Sequence, residues 1–164
     1  MSIYLQIIEV SFWAGLAAVG FGVLFNIPKK TILTVFLLGF LGGVTKFFLL
    51  NFEVNIILAS LLASITIGLL SIRLAHVIHY PPVVFAIPPM IPMIPGFYAY
   101  QALIAIMKYA LLESTNHVEQ LVLISKIFYN GFTMLFILIA LILGISLPML
   151  LLRKSSVKEG ALPK

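Results

Sequence analysis

The stretch that decides the fold runs from Tyr80 to Met107 and reads YPPVVFAIPPMIPMIPGFYAYQALIAIM. It is apolar enough to lie in a lipid bilayer, yet it carries six of the nine prolines in the chain. A proline inside a helix removes a backbone donor and clashes with a preceding carbonyl, at a cost of roughly 3 kcal/mol or more. We therefore predict that no continuous helix runs through this stretch. Because hydrocarbon offers no water to the freed backbone groups, the break should be covered by protein or line a polar cavity.

The composition indicates a membrane protein. Of the 164 residues, 62% are hydrophobic and 9% are charged, whereas a soluble domain is about half apolar. We predict an all-α integral membrane protein with a single transmembrane domain over residues 1–152 and a polar cytoplasmic tail over residues 153–164. The net charge of +5 is expected to face cytosol and anionic lipid headgroups rather than nucleic acid.

The apolar runs predict about five transmembrane helices, the fourth of which is broken by the Pro/Gly-rich segment. Residues 118–152 would form a helix of ~52 Å, longer than the ~30 Å hydrocarbon core. We therefore divide this run into an amphipathic lead-in and a true span. Small residues four apart, as in Ser60, Ser64 and Gly68, predict close approach of neighbouring helices. The predicted spans are 7–25, 32–50, 56–72, the broken segment 80–112, and 131–152.

The distribution of basic residues predicts the orientation. With five spans, most lysines and arginines fall on one side of the membrane, and only Lys46 and Lys108 fall on the other. The positive-inside rule then places the N-terminus outside and the C-terminus in the cytoplasm. The residues on the predicted cytoplasmic side are Lys29, Lys30, Arg73, Arg153, Lys154, Lys158 and Lys164.

The best candidate for a binding site is the end of the proline stretch. Gly96 gives the backbone freedom to turn, and the helix that restarts there has first-turn amides without internal partners. These amides and the helix dipole attract a carboxylate, as in the broken helices of transporters. The alternative is a simple proline kink whose tyrosines bond neighbouring helices. The candidate substrate-path residues of this break are Pro92, Pro95, Gly96, Tyr98, Tyr100 and Gln101.

Three further polar residues lie within or beside apolar runs. Lys46 and Lys126 are flanked by apolar sequence on both sides, and charged groups at membrane depth often mark a pathway. Lysine near the end of a span can instead extend to the interface. Asn130 follows Lys126 by one helical turn, so the two share a face that could line a conduit or pack against a partner. We add Lys46, Lys126 and Asn130 to the candidate substrate path.

Enzyme and metal chemistry are disfavoured. His76 and His79 are three residues apart, but the chain has no cysteine or aspartate and no obvious third ligand, so no metal or other cofactor is predicted. No G-x-S-x-G turn or serine-lysine pair in a suitable loop is present either. We therefore predict that the protein is not an enzyme.

Three stretches resemble the threonine/serine exporter family, in particular its short membrane subunit. They are residues 27–43, with a proline-basic turn before a glycine-bearing span, residues 57–82, with a basic exit and a proline, and IPMIPGFYAYQAL at residues 91–103, with the proline-glycine signature. The resemblance covers roughly residues 5 to 150. It implies a subunit that pairs with a larger membrane subunit to export threonine and serine across the bacterial inner membrane. The family often has arginine near the position of Gln101.

Two alternatives to this function stay open. Some members of the family export a dicarboxylate such as succinate, and a non-transporting membrane scaffold, alone or as a homo-oligomer in the lipid bilayer, would also fit the composition. The sequence has no carboxylate clearly inside a span. We therefore expect any proton coupling to use an acidic residue of the partner.

Overall fold

The computed structural model describes residues 3–111 and 117–152, which form helices joined by short turns. Within these residues, four helices are long and apolar enough to cross a membrane, and one bent pair makes a fifth span if it is counted as one. The predicted all-α membrane fold with a broken fourth span is confirmed. The predicted tail, 153–164, lies outside the described residues. The helices are α1 (Ile3–Leu24), α2 (Ile32–Asn51), α3 (Ile56–Ile78), α4 (Pro82–Met90), α5 (Gly96–Ala110) and α6 (His117–Leu151), with short 3-10 turns at Lys29–Thr31 and Ile91–Met93.

The broken span bends by 48° between Met93 and Gly96, so the predicted interruption is confirmed. Most of the prolines nevertheless lie in helical backbone. Pro82 occupies the first turn of α4, where its missing N–H costs nothing, and Pro88 and Pro89 lie inside α4. The chain leaves helical geometry at Ile94, whose ψ of 131° is extended, as expected for a residue that precedes a proline.

The predicted basic connection after the third span is also helical. We placed the end of that span at residue 72, but α3 continues to Ile78 and includes Arg73 and His76. The His76 ring lies 2.8 Å from the carbonyl oxygen of Ile72 on the preceding turn. His79 then ends the helix with a left-handed φ of 61°.

Small residues allow α1 and α2 to pack closely. A Cβ on Gly39 would lie 2.8 Å from the Cβ of Ala18 and 3.0 Å from the Cα of Gly15. A Cβ on Gly43 would lie 3.1 Å from the Cα of Ser11. These approaches are too short for any larger residue, so the antiparallel pairing of α1 and α2 depends on them.

Small residues also join α3 and α6, which run parallel. Ser64 on α3 donates from Oγ to the carbonyl of Ala140, at 3.3 Å. One turn further along, a Cβ on Gly68 would lie 3.1 Å from the carbonyl oxygen of Gly144. The contact confirms that the predicted face of Ser60, Ser64 and Gly68 is buried.

The helix α6 does not break at Gly131, where we divided the last apolar run. It is a single helix of 35 residues. Because Ser64 contacts Ala140 and the two helices run parallel, the first residue of α3 is level with Phe132. About 15 residues of α6, or ~22 Å, therefore extend beyond the N-terminus of α3. The burial changes at the same place, because Leu123 is the one buried residue of α6 before Ile137.

The molecule therefore has two regions. The bundle consists of α1–α4 with residues 132–151 of α6, and α4 packs among α1, α2 and α3. The projecting pair consists of α5 with residues 117–131 of α6, which pack against each other. The break at residues 94–95 joins the two regions.

Candidate functional site

The break is held to α2 by a lysine. Lys46 donates from Nζ to the carbonyl oxygen of Met93, at 3.2 Å, and the lysine is half-buried. The side chain of Met93 is buried beside Gly42, where a Cβ would lie 2.6 Å from the methionine Cε. Gly42 and Lys46 are one helical turn apart on the same face of α2, so this face both receives Met93 and bonds its carbonyl.

The backbone groups freed by the break are partly satisfied within it. The N–H of Gly96 donates to the carbonyl of Ile94, at 2.8 Å, and the N–H of Ala99 donates to that of Pro95, at 3.2 Å. Phe97 and Tyr98 belong to the first turn of α5, so their amides have no carbonyl four residues earlier within the helix. These two amides and the positive end of the α5 dipole are available to an anion.

The break opens on the outer surface of the protein. Pro95 is buried, but Ile94 is 45% exposed and Phe97 is 67% exposed. A Cβ on Gly96 would meet no atom within 4 Å. Broken backbone at membrane depth is tolerated where protein covers it or where it lines a water-filled cavity.

The other predicted residues of the break divide between its two sides. Pro92 lies in the 3-10 turn that ends at Met93. Tyr98 packs against the buried cluster of the bundle that includes Met93 and Ile137. Tyr100 is exposed and Gln101 is half-buried. The structure thus brings Lys46 to the Pro92–Tyr98 region and directs Tyr100 away from the core.

Lys126 and Asn130 lie on the projecting pair rather than at the break. Asn130 donates from Nδ2 to the carbonyl of Lys126 on its own helix, at 2.8 Å. Lys126 is exposed and lines a groove of about 690 Å³ between α5 and α6, together with Lys108 and Glu119. Along α6 this lysine is ~16 Å from Ile137, which contacts the bundle cluster.

The charged side chain that contacts the break is Lys46. In residues 3–111 and 117–152, no ion pair involves Lys46; Glu9 lies in the second turn of α1, Glu53 in the turn after α2 and Glu119 in the first turn of α6. The same described residues contain no group of three metal-ligating side chains. Lys46 and the first-turn amides of α5 make the site suited to an anionic group.

Sequence reasoning missed the partner of Lys46 and two buried hydroxyls. The partner is the main-chain carbonyl of Met93, which no side-chain pattern reveals, although Gly42 one turn before Lys46 was a signal of close approach. The Oγ atoms of Ser11 and Ser60 are fully buried and have no hydrogen-bond partner in the described part of the chain. Buried polar atoms of this kind usually find a partner, so these two are exceptions within the bundle.

Comparison with known proteins places this arrangement in a family. Residues 10–151 match the family described as Threonine/Serine exporter, ThrE. The chain is also 33% identical over 147 residues to an uncharacterized protein of Haemophilus influenzae (strain ATCC 51907 / DSM 11121 / KW20 / Rd), a match that covers 90% of this chain and 48% of the relative. The chain thus spans about half the length of this curated relative. No solved structure matches it.

Proposed function

We propose that this chain, which belongs to the threonine/serine exporter family, is one subunit of an exporter of small amino acids such as threonine and serine. It is a multi-pass membrane protein, and in the proposed exporter it works with a second, larger membrane subunit. The protein contributes no chemical catalysis in this role. It binds the substrate at the break and releases it on the other side of the membrane.

The observation that carries this proposal is the bond from Lys46 to Met93 at the break. A lysine that bonds a neutral carbonyl can exchange it for a carboxylate, because a hydrogen bond between two charged groups is the stronger one. The first-turn amides of α5 offer further donors next to the same break. Lys46 and the start of α5 would then bind the carboxylate of an amino acid.

The need for a second subunit follows from the opening of the break. Gly96 and Phe97 are exposed, and broken backbone in a bilayer is tolerated only where protein covers it or where it lines a water-filled cavity. The relative from Haemophilus influenzae has about as much chain again beyond the matched part. We infer that a second subunit closes the break and completes the path.

The proposed location is the inner membrane of a bacterium, with the N-terminus outside and the C-terminus in the cytoplasm. Lys29, Lys30 and Arg73 lie at one end of the bundle, and Glu9 and Glu53 lie towards the other. The basic end is the one expected in the cytoplasm. We expect any proton coupling to use a carboxylate of the larger subunit.

A dicarboxylate such as succinate is the second candidate substrate. The observation that favours it is the sign of the charge at the break, where Lys46 forms no ion pair within the described residues. A substrate with two carboxylates would bring a second anionic group to this cation and to the first-turn amides of α5.

The test is efflux of labelled threonine, serine and succinate from cells that express this chain with and without the larger subunit. We expect efflux of threonine and serine that requires both chains and that falls when Lys46 is replaced by glutamine. Efflux of succinate alone would select the dicarboxylate. If both chains are inserted and abundant and no substrate moves, the protein is a scaffold rather than a transporter.

A further inference from the structure

The projecting pair carries an apolar surface at a level where the bundle has already ended. The helices α2 and α3 meet at the polar turn between Asn51 and Ile56, where the bundle ends. The projecting pair extends ~22 Å past this level, yet several of its large apolar side chains are exposed. They include Met107 at 55%, Leu111 at 77%, Val118 at 70% and Leu121 at 66% exposure.

An exposed apolar surface that also carries charged side chains is poorly suited to lipid alone, and such a surface usually marks a site of interaction. The groove between α5 and α6 gives it a defined shape, and we name it the pair groove. On α5 it is lined by Ile104, Met107, Lys108 and Leu111. On α6 it is lined by Glu119, Val122, Leu123 and Lys126.

The spacing of these residues fits a third helix. On both helices the lining positions follow one another by three, one and three residues, which is the i, i+3, i+4, i+7 pattern of a helical face that packs against another helix. Two such faces already meet along the groove, and its volume of about 690 Å³ leaves room for the side chains of a further helix. A third helix in the groove would therefore contact α5 and α6 at the same time.

The charges of the pair groove define the chemistry of that helix. Lys108 and Lys126 line it with Glu119, and none of the three forms an ion pair within the described residues. The groove thus has one net positive charge that the described chain leaves uncompensated. A helix with an apolar face and a carboxylate directed at the two lysines would complement it.

We propose that the pair groove is the docking surface for a helix of the larger membrane subunit. This inference rests on the proposed function, because it names the surface through which the two subunits meet. The length of the relative favours this occupant over a second copy of the same chain. In that protein about half of the polypeptide lies outside the matched part. This additional chain is available to cover the surface that corresponds to the pair groove.

The first test is photo-crosslinking from within the groove. A photoreactive residue replaces Val122, which lines the groove and is 48% exposed, and in a matched control it replaces Leu143, which is 45% exposed on the bundle part of the same helix. The chain is co-expressed with the larger subunit, and the adducts are identified by mass. We expect an adduct with the larger subunit from position 122 and none from position 143.

The second test reverses the charges of the groove. The double variant Lys108→Glu with Lys126→Glu should co-purify with the larger subunit at least ~10-fold less well, because like charges across an interface are strongly disfavoured. The control, Lys29→Glu with Lys30→Glu, reverses two exposed lysines in the turn before α2 and should leave the association unchanged. Insertion and abundance are measured for each variant, so that a failure to fold is recognised.

The outcomes separate this inference from the proposed function. An adduct between two copies of this chain, an adduct with lipid alone, or equal labelling from both positions would overturn the docking surface. Full association of the charge-reversed variant would overturn the complementary carboxylate. If the expected adduct forms but no amino acid is exported, the docking surface stands and the export function fails. If export requires both chains but no adduct forms, the export function stands and the docking surface fails.

Discussion

The two halves of the broken span have opposite surroundings. Four of the nine residues of α4 are buried, among them Phe85, which is fully enclosed by the bundle. In α5, which has 15 residues, Ala105 is the buried one. The same span is thus a core element before the break and a peripheral element after it. The comparison teaches that the bundle encloses the first half of this span and leaves the second half exposed.

The difference arises from where the small residues lie. Gly15, Gly39, Gly43, Gly68 and Gly144 each sit where a Cβ would meet another helix within about 3.2 Å. The glycines of the projecting pair and its junction, Gly96 and Gly131, face no atom within 4 Å. Close packing in a membrane depends on such small residues, so the bundle closes on itself and the projecting pair does not.

The largest expected effect comes from filling a contact inside the bundle. In Gly144→Leu the added side chain would meet the Ser64 hydroxyl and would lie 2.8 Å from the Leu61 carbonyl at its Cβ. We expect a loss of roughly 3 kcal/mol in the free energy of unfolding, measured by denaturant titration of the purified protein in detergent. The matched control on the same helix, Gly131→Leu, should be neutral or slightly stabilising. Equal losses in both variants would remove the distinction between the two regions.

The next effect concerns the lysine that joins α2 to the break. Lys46→Gln keeps a donor for the Met93 carbonyl but removes the charge, so we expect efflux to fall at least ~10-fold, since a bond to a charged group contributes ~1.5–3 kcal/mol. Protein abundance should not change. The control is Lys29→Gln, which alters an exposed lysine in the turn before α2, at the end of that helix far from the break. Normal efflux in the Lys46 variant would mean that the lysine has only a structural role, as a hydrogen-bond donor to the Met93 carbonyl.

A smaller effect is expected from the open side of the break. Gly96→Leu adds a side chain where no atom lies within 4 Å and where φ is not positive, so the protein should fold normally. The leucine would still obstruct the start of α5, and we expect efflux to fall about 3-fold to 10-fold, corresponding to ~0.7–1.4 kcal/mol. Gly20→Leu, at another open position in α1, serves as the control. Unchanged efflux would assign the proline-glycine turn a purely structural role.

The smallest effect is expected on the projecting pair. The amide of Asn130 donates to the carbonyl of Lys126 within the same helix. Asn130→Ala therefore removes a local hydrogen bond that does not connect the projecting pair to the bundle. We expect a change in stability within about 0.5 kcal/mol and efflux within about 2-fold of the wild type. A loss comparable to that of the Lys46 variant would support the prediction that Asn130 belongs to the substrate path.

Several features could be predicted from particular residues. The prolines of residues 80–107 forbade a regular span, and the structure breaks there. The spacing of Ser60, Ser64 and Gly68 predicted a buried face, which α6 covers. Lys46 stood out as a charge within an apolar run, and it lies at the break. Each of these signals is a property of the residue itself: the missing N–H of proline, the small side chain of serine or glycine, and the charge of lysine. Such properties can be read from the sequence without knowing the packing.

Other features needed the packing. Nothing in the prolines themselves distinguishes Pro88 and Pro89, which the bundle holds in helical backbone, from Pro95, where the chain turns. The backbone of α6 does not change where its two parts meet, because one helix continues through Gly131. The two parts differ in that α3 packs against the second part and does not reach the first. The acceptor of Lys46 is a main-chain atom 47 residues away, which no pattern of side chains could identify.

The sequence by itself determined that this protein lies in a membrane, that it is helical and that its fourth span is interrupted, because hydrocarbon accepts only apolar segments whose backbone is satisfied. The tertiary structure alone decided which proline ends the first half of that span, which carbonyl meets Lys46 and which half of the molecule is left uncovered. These depend on distances between helices, and those distances are set by how far each pair of surfaces can approach.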